Sequence, residues 1–216
     1  MRPRQYISQS QINLLESNEQ KYIDQYIYGE KQRLSRNIIE GSKLAKGLED
    51  DEFTGNPLLD LMAVKLPKFD LADKVIEDEN GQEVWYEPEQ RIVKVPFLMD
   101  GNEKIPLLAK PDSAMFDYSG ILEYKSSVRK WTQKQVDESS QITFYCTSIW
   151  VKTKKIPQDI ELDVVEMKYD EQGRVVPTGN IFKFKTKRTM VDVIKMITRI
   201  KKAWRRIGEI SEKELF

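Results

Sequence analysis

The spacing of apolar residues changes character part-way along the chain. Over residues 1–82 they recur every three to four positions, as they do on one face of an α-helix. This spacing predicts two short helices within 9–28, with Gly29 as a stop. Ser17, followed by Gln20 three residues later, fits the capped start of the second helix. An amphipathic helix over 36–50 and another helix over 56–65 are predicted next.

From Glu83 the pattern becomes that of β-strands. Short apolar runs in EVWYE, RIVKVPFL, KIPLLAK and GILEYKS alternate with the turn-forming stretches EPEQ, DGNE and DYSG. A helix over 133–149, a strand pair around DEQG and an amphipathic helix over 189–208 follow. The order predicts one α/β (α+β) domain over 1–216, with a mixed central sheet flanked by helices. Its parts are a helical segment (1–82), a sheet core with its helix (83–188) and a basic C-terminal helix (189–216).

Composition excludes several kinds of catalytic site. The chain has 216 residues and no histidine, which rules out a Ser-His-Asp triad, a His-ligated zinc ion and a histidine base. Its single cysteine, Cys146, rules out an intramolecular disulfide and a four-cysteine metal site, so no iron–sulfur cluster is expected. Any catalysis must rely on carboxylates, lysine, tyrosine or an oxygen-ligated metal ion.

Charge is balanced in total but uneven along the chain. Lys plus Arg and Asp plus Glu each number 35. Residues 47–90 are rich in acids, whereas 183–206 are strongly basic, with Lys195, Arg199, Lys202 and Arg206 recurring at helical spacing. A basic helix of this kind is either a solvated face or a surface for nucleic-acid phosphates. No secretory signal and no membrane-spanning apolar run is visible, and a cytoplasmic protein is expected.

The candidate chemistry lies in the stretch KPDSAMFDYSGILEYKSS, residues 110–127. Alternate side chains of a strand share a face, so Glu123 and Lys125 point the same way and Tyr124 the other. Asp112 closes the preceding strand in this prediction, and a hairpin brings it beside Glu123. Two adjacent carboxylates repel each other unless a cation such as Mg²⁺ offsets their charge. Taken alone, the pattern more often marks a cross-strand ion pair on a solvated sheet face.

Several stretches in order resemble the PD-(D/E)XK nuclease superfamily, within it the RecB-like and phage-type exonuclease branch. The "PD" at Asp112 and the "EYK" at Glu123 and Lys125 are similar to its central motif. The N-terminal ISQSQINLLESNEQKYIDQYIYG is similar to its opening helices, and EGSKLAKGLE to its Gly-His-Glu helix. WTQKQVDESSQITFY resembles its Gln-xxx-Tyr helix, through Gln141 and Tyr145.

The resemblance implies a restriction-endonuclease-like core and a role for each matching residue. Asp112, Glu123 and the carbonyl of Tyr124 would bind Mg²⁺ or Mn²⁺, and Lys125 would assist the attacking water. Where the family has a histidine ligand this chain has Ala45, and Glu49, one turn later, either adds a metal-binding carboxylate or begins a solvated acidic run.

Further residues are predicted on the substrate side. Gln141 and Tyr145 share a helical face and would contact nucleic acid or support the active site, although Tyr145 also fits a core aromatic. Trp131 either stacks on a base or anchors the packing of a helix. Arg199 and Lys202 are the expected contacts to the DNA backbone.

The resulting hypothesis is a Mg²⁺- or Mn²⁺-dependent deoxyribonuclease without an iron–sulfur cluster. The resembling branch suggests an exonuclease of recombination, repair or replication, located in the host cytoplasm if the protein is phage-encoded. Its partners would be DNA and a recombination or replication protein, with no membrane. Two alternatives stay open: a non-catalytic nucleic-acid-binding module, which the Ala45 departure motivates, and an interaction subunit that contacts a partner through its acidic region.

Overall fold

The computed structural model of the protein describes residues 5–30, 39, 57–65, 76–77, 83–84, 96–115 and 117–215. Ala45 and Glu49 lie outside the described residues, as does the predicted helix 36–50 apart from its residue 39.

Helices occupy much of the described N-terminal sequence, at 9–27 and 57–65, whereas residues 76–77 of the predicted helical part form a short strand. Helix α1 (Gln9–Ser17) buries Ile12 and Leu15 against the core. Helix α2 (Glu19–Tyr22) continues into a π-helical turn (Ile23–Ile27), and a helix follows at α3 (Pro57–Lys65).

The predicted cap at Ser17 is wrong by one residue. Asn18 is extended, with φ −161°, and therefore separates the two helices. Its side chain accepts the Lys21 N–H at 2.9 Å, whereas the Ser17 hydroxyl donates back to the Leu14 carbonyl of its own helix. Gly29, with φ +74°, ends the helical segment in the left-handed conformation that glycine adopts without strain.

In the described ranges, the strands form two small two-stranded sheets and one mixed sheet. Strands β1 (Ile76–Glu77) and β2 (Glu83–Val84) pair with each other, and β3 (Phe97–Asp100) pairs with β4 (Glu103–Pro106). The main sheet is assembled from β5 (Ser113–Ala114), β6 (Gly120–Ser127), β7 (Asp159–Tyr169) and β8 (Val175–Thr186) in that order. Strands β6 and β7 are parallel, and the other two pairs are antiparallel. The mixed α/β fold class is therefore confirmed.

The predicted helix over 133–149 is two helices. Helix α4 (Gln133–Asp137) starts at a capping box of Thr132 and Gln135, and α5 (Ser140–Thr153) starts at the Ser139 cap. The buried guanidinium of Arg188 donates to the carbonyls of Val136 and Ser139 at the break between the helices. Because the Arg188 side chain satisfies these carbonyls, the break between the helices costs little free energy. Helix α5 therefore starts with Gln141 in its first turn.

The core lies mainly on one face of the sheet. Buried side chains of β6 and β7, including Ile121, Leu162 and Val164, pack there in one cluster with those of α1, α5 and the last helix, α6 (Met190–Leu215). A smaller cluster on the other face joins Val165 and Met167 to residues of α3. Within the described ranges, no helix is long and apolar enough to cross a membrane.

Basic side chains of α6 tie this helix to α1, α2 and the β3–β4 hairpin. The Arg199 guanidinium donates to both carboxylate oxygens of Glu16, at 2.8 and 2.9 Å from Nε, and to Asn13 Oδ1 at 2.9 Å. Arg206 pairs with Glu19, and Arg205 with Asp100. Two arginines of the predicted phosphate-binding face, Arg199 and Arg206, thus form ion pairs with other helices of the protein. Lys202 is exposed without an ion pair among the described residues.

We expect Arg199→Ala to lower the free energy of unfolding by about 0.5–1 kcal/mol, because it breaks a partly exposed bidentate ion pair. Lys202→Ala removes a cation of the same helix that has no such pair and should change the free energy by less than about 0.5 kcal/mol. Urea unfolding of both variants measures the difference. Equal stabilities would show that the Arg199–Glu16 pair does not hold α6 in place.

Candidate active site

Strand β6 carries the two central side chains of the candidate site. Lys125 Nζ lies 2.7 Å from Glu123 Oε1, so both point to the same face of the sheet. The intervening Tyr124 packs in the smaller cluster on the opposite face. The alternation predicted for this strand is therefore present.

The β5–β6 hairpin brings Asp112 to the same place. Ser113 pairs with Leu122 and Ala114 with Ile121, and this register leads back to Asp112 beside Glu123. The Tyr124 N–H donates to Asp112 Oδ2 at 2.7 Å. Asp112 stands just before β5 and does not close a strand as predicted, because Pro111 has no N–H for a ladder and the carboxylate binds the neighbouring strand directly.

Helix α5 supplies a chain of hydrogen bonds that begins at the Glu123 carboxylate. Gln141 Nε2 donates to Glu123 Oε1 and to the Tyr145 hydroxyl, both at 2.6 Å. The Tyr145 hydroxyl in turn donates to the Lys110 carbonyl at 3.0 Å. The chain connects Glu123, through α5, with the segment that leads into Asp112. Tyr145 thus combines a buried ring with a hydroxyl that supports the site.

Glu123 is a buried carboxyl with one oxygen unsatisfied. Its side chain is 4% exposed; Oε1 accepts from Lys125 and Gln141, whereas Oε2 is buried without a hydrogen-bond partner. Burial raises the pKa of Glu123 to about 7; the Lys125 ammonium opposes this rise, and the charge of Asp112 adds to it. A buried carboxylate oxygen without a donor is costly, and a cation would remove that cost.

The metal-free protein should lose stability as pH rises from 6 to 8. The folded pKa of Glu123, about 7, lies above its ordinary value of 4.5, so the folded state holds the proton more tightly than the unfolded state. The stabilisation is fully present below pH 4.5 and is lost as pH rises through 7. We expect a loss of about 1 kcal/mol between pH 6 and 8, measured by urea unfolding with a chelator. Unchanged stability over this range would contradict the buried environment of Glu123.

The other predicted site residues lie apart from this hydrogen-bonded chain. The half-buried ring of Trp131 packs against the main core, which fits an anchor of helix packing. Arg199 and Lys202 stand on α6, with Arg199 engaged by Glu16. Glu49 lies outside the described residues.

At this face of β6 the described residues bring two carboxylates, those of Asp112 and Glu123, close together. No cluster of three or more Asp, Glu, Cys or His side chains that could hold a metal ion occurs in the part of the chain that the structure describes. Asp112 and the unpartnered oxygen of Glu123 fit a hard divalent ion, which commonly takes one or two protein carboxylates and keeps several waters.

A polar pocket adjoins the site, and its only sign in the sequence is a run of amide side chains in YISQSQIN. Its volume is about 530 Å³, and α1, the π-helical turn, the segment before Asp112 and α5 supply its walls. Gln141 and Tyr145 belong both to its lining and to the hydrogen-bond chain from Glu123. The pocket and the carboxylates therefore share a wall.

Two solved structures share the architecture of this chain. One is LHK-Exo in complex with dAMP, with a TM-score of 0.50 and 14% identity over 98% of this chain and 94% of that chain. The other is a protein from Eubacterium rectale provisionally assigned as an exonuclease, with a TM-score of 0.50 and 13% identity over 97% and 82% of the two chains. The chain has the fold of these proteins. No protein-family model and no curated protein matches its sequence.

Proposed function

We propose that the protein is a metal-dependent nuclease that hydrolyses DNA phosphodiesters, and that it works as an exonuclease. The observation that carries the proposal is the unpartnered, buried oxygen of Glu123 next to Lys125 and the Asp112 hairpin. A solvated ion pair, the simplest alternative for this motif, would leave neither carboxylate oxygen buried. The shared fold with two exonucleases supports the same activity and mode of action.

The residues divide the work of hydrolysis between them. Asp112 and Glu123, with the Tyr124 carbonyl as the resemblance suggests, would hold Mg²⁺ or Mn²⁺, and a bound ion would polarise the phosphate and offset its charge. Lys125 presents a cation at the same face and stabilises negative charge that develops on the phosphate oxygens. Gln141 donates to one oxygen of Glu123 and would leave the other, unpartnered oxygen for the cation.

The exonuclease mode is tested with one DNA in two forms. Linear duplex and covalently closed circular duplex of the same sequence are incubated with Mg²⁺, Mn²⁺ or a chelator. We expect mononucleotides from the linear form only, and only with a metal ion. Cleavage of the circular DNA would show that the protein is an endonuclease and contradict the exonuclease mode. Cleavage in the presence of the chelator would show that the activity needs no metal ion.

A further inference from the structure

Helix α6 has an outer side that the protein leaves exposed. Buried residues such as Val193, Ile200 and Ile207 face the core. On the opposite side of the helix, exposed residues recur three or four positions apart and so lie in one straight row. We call this row the outer stripe; it consists of Val191, Ile194, Lys195, Thr198, Lys202 and Arg205. At the rise of an α-helix it is about 21 Å long.

The N-terminal end of the outer stripe is apolar. Val191 is 58% exposed and Ile194 is 56% exposed, and Met190 beside them is 42% exposed. Single apolar side chains on a protein surface are common, but these three are neighbours within two turns of one helix. A contiguous apolar patch of this kind is typical of a surface that another protein covers.

The C-terminal end of the outer stripe is basic. Lys195 and Lys202 form no ion pair within the part of the chain that the structure describes. Arg205 pairs with Asp100, yet its side chain is 65% exposed. A groove of about 460 Å³ runs along this end, and the acid of its described lining, Glu209, is itself engaged by Arg206. The surface therefore has positive charge to offer to carboxylates or phosphates.

The combination of the two ends favours a protein over the other possible occupants. Contacts to nucleic-acid phosphates are made by cationic and hydrogen-bonding groups and give no role to an exposed Val191 and Ile194. Two copies of the stripe also match poorly. A full antiparallel pairing sets Val191 against Arg205 and Ile194 against Lys202, and a parallel pairing sets like charges against each other.

We propose that the outer stripe docks an amphipathic helix of a partner protein, whose contact face carries large apolar side chains at one end and carboxylates at the other. A straight stripe is matched by a second helix, because its side chains recur at the same spacing along one face. Carboxylates would neutralise Lys195 and Lys202, and apolar side chains would cover Val191 and Ile194. The inference goes beyond the proposed nuclease and does not rest on it.

Synthetic helical peptides of about 15 residues, the length of the stripe, test both parts of this chemistry. The probe peptide carries leucines at one end of a face and glutamates along the rest of that face, and it is made in both chain directions. In one control peptide serine replaces each leucine, and in the other glutamine replaces each glutamate. Fluorescence anisotropy should show that the probe, in one direction, binds about tenfold or more tightly than either control peptide.

Two pairs of matched variants locate the binding. Val191→Ser removes apolar contact from the stripe, and Val64→Ser makes the same change at an exposed valine of α3. Lys202→Glu reverses a charge in the stripe, and Lys168→Glu reverses one at the exposed end of β7. All four side chains are exposed, so the fold should tolerate each change. We expect Val191→Ser and Lys202→Glu each to weaken the probe roughly three- to tenfold, and the two control variants to leave its binding unchanged.

Three results would overturn the proposal. The first is no binding of the probe, or binding equal to that of the serine control peptide, because the apolar end would then recognise nothing. The second is self-association in sedimentation velocity that Val191→Ser abolishes, because the occupant would then be a second copy of the chain. The third is displacement of the probe by duplex DNA in a chelator, which would assign the stripe to nucleic acid. Each of these results can be read whether or not the protein cleaves DNA.

Discussion

Replacing Lys125 by alanine should reduce the rate of DNA cleavage by ~10²–10³-fold while DNA affinity changes little. The ammonium lies 2.7 Å from Glu123 and is part of the charged group that would face the scissile phosphate. Its charge matters more in the transition state, where negative charge builds up on the phosphate, than in the bound ground state. Losing one phosphate contact should lower the slope of log affinity against log salt concentration by only about one.

Single-turnover cleavage beside a salt-titrated binding assay measures the two quantities separately. Lys155→Ala is a suitable control, because this lysine is exposed beyond the other end of α5. A wild-type cleavage rate in Lys125→Ala would show that this lysine takes no part in the chemical step. A parallel loss of affinity and rate would make it a general DNA contact.

Glu123→Gln should abolish the thermal stabilisation that Mg²⁺ or Mn²⁺ gives to the protein. The amide keeps an oxygen for Lys125 and Gln141 but offers nitrogen where the unpartnered Oε2 stood, and a hard cation binds an amide nitrogen poorly. Wild-type protein should gain stability with the metal, since the ion binds only the folded state. Thermal unfolding with and without Mn²⁺ measures this.

The same variant should also be insensitive to pH where the wild type is not. The loss of about 1 kcal/mol between pH 6 and 8 corresponds to roughly 2–4 °C for a chain of this size. Without the titrating carboxyl, most of that change should disappear. A Mn²⁺-induced rise that persists in Glu123→Gln would place the cation elsewhere, and an unaltered pH dependence would assign it to another group.

Local rules were sufficient for the part of the site that one strand and one hairpin determine. Alternation along a strand places Glu123 and Lys125 on one face, and a hairpin with its turn at DYSG returns Asp112 to them. The one-turn spacing of Gln141 and Tyr145 likewise predicts that they share a helical face. The contact of Gln141 with Glu123 depends in addition on the position of α5 against the sheet.

Long-range contacts explain what the sequence could not predict. The break before Ser140 depends on Arg188, which is far along the chain and reaches back to the free carbonyls. The pairing of Arg199 with Glu16 joins helices from opposite ends of the chain, so the sequence of α6 alone cannot predict it. The pocket has the same origin, because four separate segments supply its walls.

The most direct test of the nuclease proposal compares cleavage by wild type, Glu123→Gln and Glu171→Gln, purified in the same way, on end-labelled DNA with Mn²⁺. Glu171 is exposed in the turn between β7 and β8, so its variant controls for the substitution and for contaminating nucleases. We predict release of mononucleotides by wild type and Glu171→Gln, and none by Glu123→Gln. Equal cleavage by all three proteins, or binding of DNA by wild type without any cleavage, would contradict the assignment of Glu123 as the centre of a nuclease.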